Sequence, residues 1–328
     1  MVTASVEDST KHNYDGLIND FLDFCDRYGR DPYVAKQRTV QEYICYLYKF
    51  TEVPHGAADK RLTALGYFWT CHGCDWDRKK FPTISKMMKG YRRLKPSDLR
   101  VKNPFTFIHF KKAMKWINLN TYNGLLTSAT LSIGYFYGGR ISEYSPKSRD
   151  EWGKVIKRND LMFIGAPLDP SALIIDFRFH KTNKFGIYCG KVECICSCDT
   201  GICPVHIIFK FIQWREREYG PMMDQPLLVS LKEKPIPQHQ VNFCIKNLII
   251  KMGLDPNLYS SHSLRSGRAT DLARALKPSW FIKKWGRWRS DVWQDFYVKL
   301  DFSDMAKLSQ LSLHQLGIVD NDLMNSQL

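Results

Sequence analysis

Acidic residues are the scarce class in this chain. Its 328 residues hold 33 Asp and Glu against 48 Lys and Arg, for a formal charge of +15 and a pI near 9.3. That imbalance disfavours a basic partner and points to a polyanion, nucleic acid first and an anionic membrane second. Long apolar runs are also missing. Nothing approaches the stretch of about 18 residues that a membrane helix needs, so the chain is not expected to span a bilayer. No N-terminal segment resembles a signal peptide. The ten cysteines therefore read as reduced thiols of a cell interior, not as a disulfide framework. Internal repeats and low-complexity segments are absent as well. With 44% hydrophobic residues, what remains is a globular chain long enough for two domains.

The positive charge is concentrated. Between Arg78 and Lys115 stand thirteen Lys or Arg and one acid, Asp98. A second cluster, Arg265 to Arg289, has eight basic residues against Asp271. A solvated helix face interleaves both signs, so one-sign blocks favour a phosphate backbone. Arg78, Lys79, Lys80, Lys86, Lys89, Arg92, Arg93 and Lys95 in the first block, and Arg268, Arg287 and Arg289 in the second, are the candidate DNA-binding residues.

Apolar spacing predicts a helical unit at the N-terminus. Tyr14, Leu17, Phe21 and Phe24 recur at helical intervals, then Val40, Tyr43, Ile44 and Leu47, followed by helices around 57–73 and 83–92. A basic, proline-containing stretch leads out of this unit, giving domains at 1–98 and 104–328 with a linker at 99–103. The second unit opens with helices near 106–116 and 122–137. Gly138-Gly139 in "YFYGGRISEYSP" then ends one helix and Arg140 starts another. The run "ALIIDFRFHKTNKFGIYCGKV" has the pattern of a hairpin. Helices follow near 204–219, 238–251, 262–276, 279–286, 291–299 and 303–316. The fold class expected is mainly α with a small β-sheet.

Within this frame one stretch carries chemistry. In "HSLRSGRATD" His262 and Arg265 fall on one face near the start of a helix, with Ser260 or Ser261 as N-cap. Backbone N–H groups and cationic side chains at a helix N-terminus suit an anion such as phosphate. Arg140 stands upstream in "GGRISE", Lys181 in the hairpin turn "FHKTNKFG", and Trp288 nine residues before Tyr297 in "WGRWRSDVWQDFYVK".

This order resembles the tyrosine recombinase (phage integrase) family. The family pattern is an Arg at a helix start with an acid three later, a hairpin Lys, His-x-x-Arg, and a His or Trp nine before a nucleophilic Tyr. Arg140 with Glu143, Lys181, His262 with Arg265, Trp288 and Tyr297 match it in turn. Lys184 competes with Lys181 on the same turn, and Ser266 stands where many relatives carry His. The wording "GRWRSD" looks most like recombinases of eukaryotic Crypton- and DIRS-type mobile elements.

The resemblance implies a helical, SAM-like core-binding domain ahead of an α+β catalytic domain. It implies double-stranded DNA as partner, a dimer on one site and a tetramer in the synaptic complex, and no cofactor. It further implies a 3′-phosphotyrosine intermediate. The C-terminal tail, 301–328, is expected to pack either on its own domain or in trans on a neighbouring protomer, and the location expected is nuclear in a eukaryote and otherwise cytoplasmic, with the DNA. A type IB topoisomerase and a DNA-binding protein that has lost catalysis are the rival readings. The residue types suit the chemistry. A phenol can attack phosphorus, guanidinium groups can hold its oxygens, an ammonium can protonate the leaving oxygen, and an imidazole can take the phenol proton. Trp288 can donate through its indole N–H but cannot accept a proton. Glu143, one turn after Arg140, is expected to brace the site.

The cysteines of "CICSCDTGICPVH" pose a separate question. Cys194, Cys196, Cys198, Cys203 and His206 are dense enough for zinc, yet the spacing is not that of a standard finger. Cys-Pro before a helix is common in the resembled family without metal. No metal is therefore expected.

Overall fold

The computed structural model describes residues 6, 8–97, 102–179, 190–196, 202–221, 223–291, 293–301 and 303–308. The chain divides into two compact units, Met1–Arg100 and Val101–Leu328.

Among its described residues the regular structure of the first unit is helical: α1 (Asp8–Arg27), α2 (Gln37–Phe50), α3 (His55–Cys71) and α4 (Pro82–Leu94). Its core forms where the apolar stripes meet. Phe21 of α1 sits edge-on to Tyr43 of α2 and Trp69 of α3, at 5.1 and 5.6 Å between ring centroids, an arrangement aromatic quadrupoles favour. Trp69 donates its indole N–H to the Pro32 carbonyl at 2.8 Å, so the buried ring keeps no unmet donor. On α4, Ile84, Met88 and Tyr91 are buried. Lys86, Lys89, Arg92 and Arg93 project from the opposite, exposed side of that helix.

The second unit contains α5 (Phe107–Trp116), α6 (Tyr122–Tyr135), α7 (Ile141–Tyr144), β1 (Leu161–Ala166), β2 (Asp169–Asp176), β3 (Lys191–Ile195), α8 (Pro204–Tyr219), α9 (Gln238–Lys251), α10 (Ser261–Arg274), α11 (Ser279–Trp285) and α12 (Trp293–Tyr297). Helix α6 is its centre. Apolar and small residues line it on all sides, from Leu125 and Leu126 to Ile133 and Tyr135, so it is buried all round and packs against α8 and α10. The sheet is antiparallel in the order β1-β2-β3, with Leu173 and Ile175 of β2 fully buried.

Three local expectations change. The hairpin is the second half of a three-stranded sheet, because Leu161–Ala166 also pairs with β2. The helix after Arg140 is a single turn, with Arg140 as its N-cap in extended backbone. The tail helix is described over 303–308. There Asp304 accepts two hydrogen bonds from Arg274 of α10, at 2.8 Å each, within the same unit. Residues 309–328 and the hairpin turn with Lys181 and Lys184 lie outside the described residues.

Candidate active site

Three chain segments converge on one small region: the turn 138–143, the first half of α10, and the run from Gly286 through α12. The turn is set by Gly138, whose φ of +59° favours glycine and whose missing Cβ leaves room for Trp285, 2.9 Å from where that Cβ would stand. Trp285 is fixed in turn by donating to the Phe136 carbonyl at 2.9 Å. The freed Gly138 carbonyl accepts from Arg265 at 2.5 Å and from Arg287 at 2.9 Å. One oxygen thus gathers two guanidinium groups, each more than a hundred positions away from it in sequence.

Glu143 completes the charge arrangement. Its side chain is 2% exposed and accepts from the Arg140 backbone N–H (2.7 Å), the Arg140 guanidinium (2.9 Å) and Arg287 (2.8 Å). Burial raises the cost of its charge, yet Arg287, Arg265 and Arg140 together hold its carboxyl below the usual glutamate value. The expected brace is therefore a carboxylate shared by two arginines. Nη1 of Arg140 goes to Glu143, and the rest of the fork has no partner among the described residues.

α10 begins with Ser260 as N-cap, in a capping box with Ser263. His262 stands in its first turn and Arg265 one turn on. Arg265 is 1% exposed. Its two Nη atoms donate to Gly138 and Gly286 carbonyls, and its guanidinium lies over the rings of Trp288 (4.6 Å) and Tyr297 (5.5 Å). Both Nη atoms of Arg265 are thus engaged within the protein. Its Nε is the nitrogen left without a partner among the described residues.

Tyr297 ends α12 and is half-buried. Its ring centroid is 4.5 Å from that of His262 and 4.7 Å from that of Trp288. Its backbone carbonyl accepts from the Ser266 hydroxyl at 2.6 Å, one turn beyond His262 on the same helix. Ser266, the departure from the family pattern, is thus a fixing point for the tyrosine. Trp288 stacks on Trp293 at 5.1 Å, and its buried indole N–H has no partner among the described residues. His262 still reaches solvent by surface area, although protein atoms crowd it. That crowding, with the positive charges of Arg265, Arg140 and Lys299, lowers its pKa to about 4, so the ring is neutral and able to accept a proton.

The candidate DNA-binding residues separate on inspection. Arg287, expected at the DNA backbone, is instead internal: its side chain is 7% exposed, it pairs with Glu143, and it lies 3.9 Å over the Phe177 ring. Its backbone is left-handed at φ 52°, a conformation costing about 1 kcal/mol or more that the surrounding bonds must hold in place. Arg268 turns inward as well, half-buried over the Tyr135 and Phe136 rings. Arg289 is exposed. In the first unit Arg78 pairs with Asp59, Lys80 with Asp75, and Lys95 donates to the Tyr48 and Thr51 carbonyls. Lys79, Lys86, Lys89, Arg92 and Arg93 are exposed, without an ion pair among the described residues.

Of the cysteine cluster, Cys196, Cys203 and His206 come together. Cys194 does not join them, since its thiol points to the Phe136 carbonyl at 3.6 Å, and Cys198 lies outside the described residues.

The chain is similar in sequence and in fold to recombinases and integrases. In sequence the chain is 23% identical over 299 residues to an integrase/recombinase, the XerD homologue of Selenomonas ruminantium, over 90% of this chain and 82% of the relative. No family model matches it. In structure it is similar to the Tn1549 transposon integrase in complex with a circular intermediate DNA, with a TM-score of 0.58 and 14% identity over 94% of this chain and 95% of that one. It is also similar to a lambda integrase dimer bound to a COC′ core site, with a TM-score of 0.53 and 14% identity over 91% of this chain and 94% of that one. At these identities the likeness is one of fold. The chain has the tyrosine recombinase catalytic fold, mainly helical with a small antiparallel sheet.

Proposed function

We propose that this chain is a site-specific tyrosine recombinase that cuts and rejoins duplex DNA through a 3′-phosphotyrosine, as the enzyme of a mobile element. The observation that carries the reading is Tyr297, held by Ser266 and placed against a neutral His262, Trp288 and Arg265. In the reaction the Tyr297 oxygen attacks the scissile phosphorus while His262 takes the phenol proton. The bond to the 5′ oxygen breaks, and Lys181 returns a proton to that oxygen. The new ester keeps the bond energy for religation, so no high-energy cofactor is required. Arg140 and Arg265 stabilise the charge that builds on the phosphate oxygens, and Trp288 packs against Tyr297. One such preorganised donor contributes about 3 kcal/mol to a transition state of this kind.

The reading includes DNA as partner, a dimer on one site with four protomers in the synaptic complex, and a C-terminal tail that docks in trans. In a eukaryotic host the protein would act in the nucleus. A nicked suicide substrate tests the proposal. The wild-type protein should accumulate a covalent protein–DNA adduct, and Tyr297→Phe should abolish it while leaving DNA affinity nearly unchanged. An adduct that persists in the phenylalanine variant assigns the nucleophile elsewhere. A wild-type protein that binds DNA and forms no adduct leaves a binding protein in place of the enzyme.

A further inference from the structure

The end of β3 and the start of α8 bring together three side chains that the recombination chemistry does not use. The sulfurs of Cys196 and Cys203 are 3.5 Å apart, and His206 Nδ1 lies 3.4 Å from the first and 3.3 Å from the second. Three soft donor atoms thus form a nearly equilateral triangle. Thiols are weak hydrogen-bond donors and acceptors, so mutual hydrogen bonding is a poor reason for all three to converge. A metal is a better one. With Zn–S near 2.3 Å and Zn–N near 2.1 Å, the edges of a zinc tetrahedron are about 3.6–3.8 Å. The triangle is within a few tenths of an ångström of that size.

The imidazole is held from its other side. His206 Nε2 is 2.8 Å from a carboxylate oxygen of Asp169, the first residue of β2. A carboxylate on the far nitrogen fixes the tautomer whose lone pair lies on Nδ1, the atom that faces both sulfurs, and such pairs recur behind metal-bound histidines. The backbone anchors the third member: Cys196 N donates to the Ser171 carbonyl at 2.7 Å. Cys203 is the N-cap of α8 and His206 lies in the first turn of that helix, which sets their spacing. Donors from a strand end and a helix start, with an orienting carboxylate from a second strand, give the parts of a built site.

We propose that Cys196, Cys203 and His206 bind a zinc ion, with Asp169 orienting His206, and that the ion staples the third strand to the start of α8. Two sulfurs and an imidazole select zinc over magnesium or calcium, which take oxygen ligands. Binding releases the two thiol protons, and the two thiolates balance the charge of the ion. These three ligands leave the fourth tetrahedral position to a solvent molecule, and the role is to tie the strand to the helix. None of the three ligands belongs to the Arg140–Tyr297 cluster, but the strand they fasten is the return leg of the connection that carries Lys181.

Metal analysis of the full chain, purified without chelator, tests this directly. About one zinc per chain is expected in the wild type and in Cys244→Ser, a cysteine on α9 outside the cluster. Cys203→Ser and His206→Ala should lose it. Reconstitution with cobalt gives a second readout that does not depend on how well a variant folds. The wild-type protein should show thiolate-to-cobalt charge transfer and the intense visible bands of tetrahedral cobalt. Asp169→Asn should keep the stoichiometry at excess zinc but weaken affinity by about 10- to 100-fold. A metal-free wild type without the cobalt spectrum would overturn the assignment. So would a non-reduced chain lighter by two hydrogens with a Cys196–Cys203 cross-linked peptide, which would make the pair a redox element.

Discussion

Glu143 and Arg287, 144 positions apart in sequence, form a buried ion pair at 2.8 Å. The pair ties the turn that presents Arg140 to the segment that leads into Trp288 and Tyr297, so the two halves of the candidate site share one carboxylate. An unpaired guanidinium in such a place is costly, and the pair therefore acts as a register device for the site more than as a source of net stability.

Replacing Glu143 with Gln keeps the shape and removes the charge, leaving Arg140 and Arg287 without their counter-ion. The expected loss is about 3 kcal/mol, the scale seen when one member of a buried ion pair is removed. Denaturant titration at neutral pH measures it. The pH dependence gives a second check. Because the folded-state pKa of Glu143 is lowered, its contribution is present above the ordinary glutamate value and is lost as pH falls below it. The wild type should lose stability in that acid range more steeply than Glu143→Gln. Parallel acid curves would mean the carboxylate is not carrying the pair.

Gly286 is a narrower point of failure. A Cβ added there would stand 1.8 Å from the Trp288 ring, while the Gly286 carbonyl is held by Arg265. Neither neighbour can yield without disturbing the site. Gly286→Ala should cost about 1–3 kcal/mol through overpacking and should reduce covalent adduct formation far more than it reduces helix content. Circular dichroism beside a suicide-substrate assay separates the two. Adduct formation at the wild-type rate would show that Trp288 tolerates displacement and that its packing on Tyr297 is dispensable.

On the proposed reading, His262 as proton acceptor sets the acid limit of adduct formation. His262 has its pKa lowered to about 4 by crowding and by Arg265, Arg140 and Lys299, so it stays neutral well below the usual histidine range. The sign follows from the lowered value. Adduct formation at limiting DNA should hold constant from neutral pH down to about pH 5 and decline only toward about pH 4. Its stability contribution runs the same way, complete above the ordinary histidine value and lost toward the lowered one. His262→Gln should flatten that acid limb. An inflection at the ordinary histidine pKa would mean that neither the crowding nor the three cations act on the ring.

Much of this arrangement is legible in the sequence because its parts are periodic or local. The apolar stripes of α1 and α2 name their buried faces, and Ser260 marks the start of α10. The order of Arg140, Glu143, His262, Arg265, Trp288 and Tyr297 names the cluster that folding assembles. What escapes is whatever depends on long-range pairing. "LMFIGA" is too short to announce β1, which exists because β2 offers it a hydrogen-bonded edge. Arg287 reads as a surface cation amid basic neighbours, and only its distant partner Glu143 makes it internal. Lys95 is similar, since the carbonyls of Tyr48 and Thr51 that hold it lie at the end of another helix. The signal that could have been used for Arg287 is its place after Gly286, in a tight turn between two tryptophans.

On the proposed reading, pairing within the first unit narrows where DNA can be gripped. Arg78, Lys80 and Lys95 have partners within the first unit, whereas Lys86, Lys89, Arg92 and Arg93 on the exposed face of α4 have no ion pair among the described residues. Each phosphate neutralised by a cation contributes about −0.9 to the slope of log affinity against log salt, so six contacts lose roughly a thousandfold between about 50 and 200 mM salt. If α4 supplies four of them, changing all four residues to Gln should make that slope shallower by about 3 to 4. Changing Arg78 and Lys80 to Gln should alter it little, because their charges are already met by Asp59 and Asp75. The measurement is a set of binding titrations on one duplex across a salt series, with thermal unfolding as the check on folding. A slope unchanged in the α4 variant would move the principal backbone contact off that face. A larger change in the Arg78 and Lys80 variant would mean that both ion pairs open when DNA binds.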